Sequence, residues 1–317
     1  MISTRICVLA LTLLATPAMA LWTDIDNWSV QADLGLQEGK VYERVYTRNT
    51  LISELTWDVK NIPTGIVTAT YTYNPFVRWN VQYWTILDKG HSKMVDRDWL
   101  GSDPLTQTHY SIADRAPLTA EGATISMDLL FKETETQTLL ISHNHQWYIH
   151  MPALRILGTL GVKSETYEWK SYGGYGVYPT GSFTSPKDEL GISYRQELDA
   201  PFVGLTCVVI LPKGSLTLQG TATNQAKIED YDAHHLRAIT YNDSFKKVRW
   251  YTANIQYAYP LQTDLTLHLG YGMDWIQNQR GDIYMTDYIS GRSAVFENDA
   301  GVARRLHHYS IGLKKQF

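Results

Sequence analysis

Strict alternation of apolar and polar residues is the feature that most limits what this chain can become. In Gly65–Tyr73, Val67, Ala69, Tyr71 and Tyr73 oppose Thr68, Thr70 and Thr72. In Val77–Thr85, Val77, Trp79, Val81 and Tyr83 oppose Arg78, Asn80 and Gln82. Tyr251–Tyr259 and Leu265–Trp275 repeat the pattern. Successive side chains of a strand point to opposite faces, so period two predicts strands with one apolar and one polar face. Nothing after residue 20 approaches the ~20 apolar residues of a membrane helix.

A soluble sandwich would turn such apolar faces onto a shared core. A membrane barrel turns them onto lipid and keeps a wet interior. Aromatic usage favours the barrel. The chain has 10 Trp and 21 Tyr but only 7 Phe. Trp and Tyr join an apolar body to a polar tip and collect at membrane interfaces. The chain ends Tyr309, Ile311, Leu313 and Phe317, with alternate residues mostly apolar and a terminal aromatic. That end resembles the sorting signal of outer-membrane barrels.

Residues 1–20 read as a secretory signal, with Arg5, an apolar Ile6–Ala15 and small residues at Ala18 and Ala20. The remaining 21–317 reads as one barrel domain. Cys7 falls in the signal, which leaves Cys207 without an intrachain partner. In Val203–Ile210, Cys207 reads as a small apolar residue. A formal charge of −4 and the lack of a basic patch argue against nucleic-acid binding.

Strand candidates run through most of the chain. Tight connections are expected at Tyr73–Phe76, Leu198–Pro201 and Tyr259–Asp264, and long polar ones at 88–120, 168–188, 229–245 and 277–305. Short turns at one end and long loops at the other are the outer-membrane pattern.

Two polar stretches carry the chemistry. Met94-Val95-Asp96-Arg97-Asp98-Trp99 places Asp96 and Asp98 on one face of an extended backbone, about 6–7 Å apart. Asp230, Asp232 and His234 likewise share one face. Both stretches fall in the long connections and therefore at the same end. Parity poses a difficulty. Leu216, Leu218 and Ala222 would face lipid, and an uninterrupted strand would aim Asp230, Asp232 and His234 outward with them. A bulge between about 222 and 230 is therefore predicted. No Gly-x-Ser-x-Gly, His-Glu-x-x-His or Cys-His signature is present. Loop acids on a generic barrel are usually a solvated rim.

Met94–Trp99, Asp232-x-His234 and Glu43-Arg44-Val45-Tyr46 together resemble the omptins, a family of outer-membrane proteases, in order over nearly the whole chain. The resemblance implies a transmembrane antiparallel β-barrel of ten strands in the bacterial outer membrane, with long extracellular loops, short periplasmic turns and an active site facing the exterior. It implies an aspartyl-type endopeptidase with catalytic Asp96, Asp98, Asp232 and His234. Glu43 and Asp230 would line the pocket for the residue before the cut, with Met94 and Leu190 as its apolar wall. Basic peptides or proteins, often dibasic, would be the substrates. A catalytically silent barrel serving as adhesin or receptor is the competing reading, and a lipid hydrolase would need a Ser-His pair.

No cofactor is implied. Lipopolysaccharide is the family's usual activator, but the matching wall positions here are Val162, Ser164, Thr166 and Glu197, and only Lys246 is cationic. Other outer-membrane lipid remains a neighbour. His143, His145 and His150 lack a carboxylate or Cys partner at metal-ligand spacing. Arg304–Arg305 lies near the end of a long connection and is a candidate for self-cleavage. Segment 132–153 is longer than an ordinary periplasmic turn.

Overall fold

The computed structural model describes residues 27–90, 92–142 and 147–317, with backbone alone for 137–142 and 147–151. The proposed signal, His143 and His145 lie outside the described residues. Apart from turns and an irregular loop at 99–108, the described chain is mostly strand: β1 Trp28–Thr47, β2 Thr50–Asn74, β3 Val77–Ile86, β4 Met94–Asp98, β5 His109–Ala113, β6 Leu118–Thr134, β7 Gln137–Ser142, β8 Trp147–Met151, β9 Ala153–Tyr178, β10 Gly181–Leu211, β11 Gly214–His234, β12 Ile239–Pro260, β13 Leu265–Asp287 and β14 Arg292–Gln316. All pairings are antiparallel, and β1 pairs with both β2 and β14, which closes the sheet.

Ten staves form the ring. Two are built in two pieces each: β3 continues above as β4, and β5 continues below as β6. The β7–β8 hairpin stands apart as its own two-stranded sheet, within the connection from β6 to β9. It explains the unusual length of 132–153.

The period-two reading maps directly onto the wall. Leu34, Val67, Trp79, Leu160, Val203, Leu218, Ile255, Leu269 and Ile311 are exposed on the outside. Aromatic pairs mark this band, Trp28 against Tyr71 and Tyr251 against Trp275. Inward, Thr64, Thr68, Thr70, Asn80, Gln82, Thr217, Gln219 and Asn254 line a polar cavity of about 940 Å³. A closed sheet satisfies its own backbone donors and acceptors, so it can stand in hydrocarbon without an edge.

Three of the expected long connections prove to be mostly strand, while 88–120 holds β4 and β5 with an irregular loop at 99–108 between them. The 168–188 segment is the top of the β9–β10 hairpin, with a turn at 179–180. The 229–245 segment is β11 and β12 joined by one 3-10 turn, His235–Arg237, and Ala238 in the left-handed region at φ 51°. Their outward side chains are polar because they rise beyond the apolar band, while the ladder continues to satisfy the backbone. One expected turn is corrected. Leu198–Pro201 lies within β10, and the real turn follows at Pro212–Lys213. Pro201 lacks only a donor there, and the β10–β11 register slips between Asp199 and Val203 beside it.

The predicted bulge is present. The β11–β12 register shifts between Thr223 and Ala226, and again between Ala226 and Ile228. Below it Thr221 is buried and Leu218 faces out; above it Ala226, Ile228, Asp230, Asp232 and His234 are buried. Gln225 N donates to Thr223 Oγ1 at 3.0 Å and supports the extra residue.

Two buried layers separate the polar cavity from the outer mouth. Trp57 stacks on Tyr194 at 5.5 Å and 7°, and Trp169 lies 5.8 Å from both rings. Tyr167 and Trp84 extend the stack. Beside it stands an ion quartet. Arg304 donates to Asp274 at 2.9 Å and to Glu165 at 2.8 Å, and Lys163 lies 2.6 Å from Glu165. Arg304 is thus wholly buried within β14, so the self-cleavage expected at Arg304–Arg305 is corrected. A protease cannot reach a bond whose side chain and backbone are both tied into the wall.

Trp169→Ala should cost about 3–5 kcal/mol, the usual penalty for emptying a buried aromatic site. A denaturant titration of the protein in detergent micelles reads this as a lower unfolding midpoint. Trp79→Ala, on the lipid-facing wall, should shift the midpoint much less.

Candidate active site

The cleft is assembled from strand ends above the aromatic stack. β4 exists because it adds to the β2 edge, with Trp57, Leu55 and Ser53 opposite Met94, Asp96 and Asp98. Parity sends Met94, Asp96 and Asp98 inward, while Arg97 points out and lies 4.0 Å from Glu54. Glu54 also accepts from Arg44 at 2.9 Å. Glu43 is therefore free of its neighbour Arg44 and faces the interior, 4% exposed.

From the opposite wall come Asp230, Asp232 and His234, all buried. Asp232 Oδ2 lies 2.5 Å from His234 Nε2. Arg237, from the 3-10 turn, donates to His234 Nδ1. The Tyr241 ring meets the imidazole edge-on at 5.4 Å. Tyr194 donates to Asp230 Oδ2 at 2.6 Å, and Gln196 donates to the Tyr194 hydroxyl at 3.0 Å.

The two halves share one field. Burial first, then the neighbouring Asp98 and Asp232, push the Asp96 carboxyl up to about 7, against the pull of Arg237. Asp96 therefore senses groups that also hold His234. Burial lifts Asp230 to about 7 despite the hydrogen bonds from Tyr194 and Gln196. Glu43 stands well above the usual carboxylate range because of burial, with Asp232, Asp243, Asp230 and Asp96 adding repulsion.

The structure thus gathers Glu43, Asp96, Asp98, Asp230, Asp232 and His234 at one mouth. Met94 packs in the apolar cluster beneath them with Leu55, Trp57, Tyr194 and Ile192. Leu190 is placed differently from Met94. It is only half-buried, outside that cluster, at a register slip between β9 and β10. Ile192, two residues on, belongs to the same buried apolar cluster as Met94. Parity does not separate the two, and the slip is invisible in sequence.

Sequence reasoning missed Asp243, Arg237 and Tyr194. Asp243 is 5% exposed and sits opposite Asp230 across β11–β12. Its burial raises its carboxyl well above the ordinary range, with Asp230 and Asp232 contributing. Alternation from Tyr241 to Phe245 marked its face, but nothing marked it as part of the cleft. Among the described residues, no group of His, Cys, Asp and Glu has the arrangement of a metal site.

A lipid-embedded barrel with a polar lumen and an acid-walled outer mouth defines a class: integral proteins of the bacterial outer membrane. Residues 24–317 match the Omptin family model, and the chain belongs to that family. It is 25% identical over 299 residues to a Yersinia pestis protein named plasminogen activator, covering 92% of this chain and 90% of the other. It is 25% identical over 308 residues to protease 7 of Escherichia coli strain K12, covering 92% and 91%. The crystal structure of the outer membrane protease OmpT from Escherichia coli superposes with a TM-score of 0.82 at 22% identity, over 92% of this chain and 97% of that one. The protein is accordingly an outer-membrane peptide hydrolase.

The raised carboxyls fix a direction for stability. In the unfolded chain these acids ionise near pH 4. In the folded chain Asp96 and Asp230 hold their protons to about 7. Between those values the unfolded state releases protons that the folded state keeps, so stability falls as pH rises. The thermal midpoint should be higher at pH 5 than at pH 8, and Asp230→Asn should shrink that difference. Equal midpoints in the parent protein would contradict this account.

Proposed function

We propose that the protein is an endopeptidase that cuts beside Arg or Lys, often in dibasic sequences, with water as nucleophile. One observation carries this reading: an Asp232–His234 pair faces Asp96 within a cleft whose remaining buried acids lack cation partners.

Asp232 accepts from Nε2–H of His234 and fixes the ring orientation. That leaves the Nδ1 lone pair as the base. In the resting structure Arg237 donates to it. A substrate cation entering among the acids competes with Arg237, and water replaces the guanidinium at Nδ1. Asp96, as carboxylate, accepts the water's other hydrogen, and Asp98 positions the pair. The water proton passes to Nδ1 as its oxygen bonds to the scissile carbonyl carbon. His234 then returns the proton to the leaving amine as the C–N bond breaks.

Glu43 Oε2 and Asp230 Oδ1 are buried without partners and receive the side chain before the cut. Met94 and Ile192 lie against its methylene stem. Two carboxylates in a dry pocket suit a guanidinium fork.

Two surface features bear on the alternatives. Ser193 Oγ lies 2.9 Å from His235 Nε2, the kind of pair a lipid hydrolase needs. His235 is exposed and Ser193 half-buried, and none of the hydrogen bonds among described residues puts a carboxylate behind His235, so the pair does not favour that chemistry. On the outer wall, Arg195 pairs with Glu197 and Lys227 with Glu229. These cations are already neutralised, which makes lipopolysaccharide a weaker partner of this wall and leaves the exposed Lys246 as its contact.

Refolded protein should cut a fluorogenic Arg-Arg peptide, and Asp96→Ala or His234→Ala should each lower kcat by at least 10³-fold while the barrel still folds. A peptide with Glu in place of the Arg before the cut should resist. Full activity in either variant, or equal cleavage of the Glu peptide, would end the proposal.

A further inference from the structure

Asp243 is a buried acid without a structural reason to be one. Asp274 shows how this chain treats an acid that serves the fold. It is equally buried, and it accepts from Arg304 at 2.9 Å and from Trp250 at 2.7 Å, with Lys163 at 3.4 Å. Asp243 has Asp230 directly opposite it, and its Oδ1 is buried with no partner. Facing like charges destabilise a strand pair, and a buried polar atom left unpaired costs more. Glu43 Oε2 and Asp230 Oδ1 are in the same state. Three carboxylates, 4%, 4% and 5% exposed, thus present open oxygens within one another's field.

We propose that Asp243 is a specificity-determining residue: with Glu43 and Asp230 it forms a three-carboxylate seat that takes the substrate's guanidinium in preference to an ammonium. The inference rests on the cleavage at basic residues proposed above and deepens it. A guanidinium carries five N–H donors in one plane and is weakly hydrated, so it surrenders little water on burial. Two carboxylates can hold two of its edges. Tyr194 already occupies Asp230 Oδ2, so Asp230 offers the single open oxygen, Oδ1. Asp243 supplies the acceptor that this leaves short. An ammonium is compact and strongly hydrated, and a third buried acceptor compensates it less for the water it loses.

The seat also carries protons to be displaced. Facing Asp243 are Asp230 and Asp232 from β11 and Glu43 from β1, with the Tyr194 hydroxyl from β10 and Tyr241 on its own strand. The residue opposite on β13 is the apolar Ile283. Arg304, from β14, acts on Asp230. Removing one acid relieves repulsion on the other carboxyls, which then ionise at lower pH.

The test compares the parent protein with Asp243→Asn and Asp243→Ser on matched fluorogenic peptides carrying Arg or Lys before the cut, across pH 5–9. Asp243→Asn should raise KM for the Arg peptide about tenfold with kcat within about twofold, because the residue binds and does not react. KM for the Lys peptide should change less, so the Arg/Lys ratio of kcat/KM falls. The acid limb of kcat/KM for the Arg peptide should move to lower pH. Asp243→Ser should show the same pattern, and a thermal midpoint no lower than the parent's shows that the barrel is intact. An unchanged KM, or equal loss on both peptides, overturns the assignment while leaving the parent's cleavage of basic peptides standing. A parent protein that cuts neither peptide overturns the function itself, and this seat with it.

Discussion

In a closed sheet every side chain faces either the lumen or the outside, and the backbone leaves no third choice. This constraint governs the rest of the molecule. A strand that enters the apolar band with even residues outward keeps them outward until the register changes. In β11 that rule would place Asp230, Asp232 and His234 on the outer wall. One additional residue between Thr223 and Ala226 reverses the parity and turns all three into the cleft. The geometry of the cleft is thus set by a local break in pairing, placed where the strand leaves the lipid.

The second requirement is a floor. An open polar tube would let water and ions reach the acids from below, and their mutual repulsion would have no low-dielectric frame. The stack of Trp57, Trp169, Tyr194, Tyr167 and Trp84 fills the tube beneath the mouth. The quartet of Arg304, Lys163, Glu165 and Asp274 sits beside it with two charges of each sign. Its charges are paired, as buried ions require, though Arg304 Nη1 is left without a partner. Above this neutral layer the balance is different. Glu43, Asp96, Asp98, Asp230, Asp232 and Asp243 gather there, with Arg237 bonded to His234 and acting on Asp96, and Arg304 acting on Asp230. The same wall thus carries one layer in which buried acids and cations are matched and one in which acids outnumber cations.

Much of the fold was legible because lipid imposes a simple pattern. Val67, Trp79, Ile255 and Leu269 alternate with polar residues, as a wall between lipid and a wet lumen requires. The bulge was legible for the same reason, since Leu218 and Asp232 could not both point the same way. What misled was polarity. The segments 168–188 and 229–245 looked like loops, because outward residues above the lipid face water and lose their apolar signature. Leu198–Pro201 looked like a turn because Asp199 and Pro201 usually mark one, yet the ladder accommodates both. That Ile192 joins the buried cluster with Met94 while Leu190 stays half-buried follows a register slip that no periodicity records.

The sequence alone determined which residues belong to the wall's two faces and which short motifs carry acids and an imidazole, because both are local properties of an extended chain. It also held the resemblance that named those motifs together. Tertiary structure alone decided which acids share one pocket. Asp243 and Asp230 are thirteen residues apart along the chain, and Glu43 lies on the first strand. Only closure of β1 onto β14, together with the β11–β12 register, brings their open oxygens together. Charge repulsion and burial depend on distance through space, and a linear chain does not carry that distance.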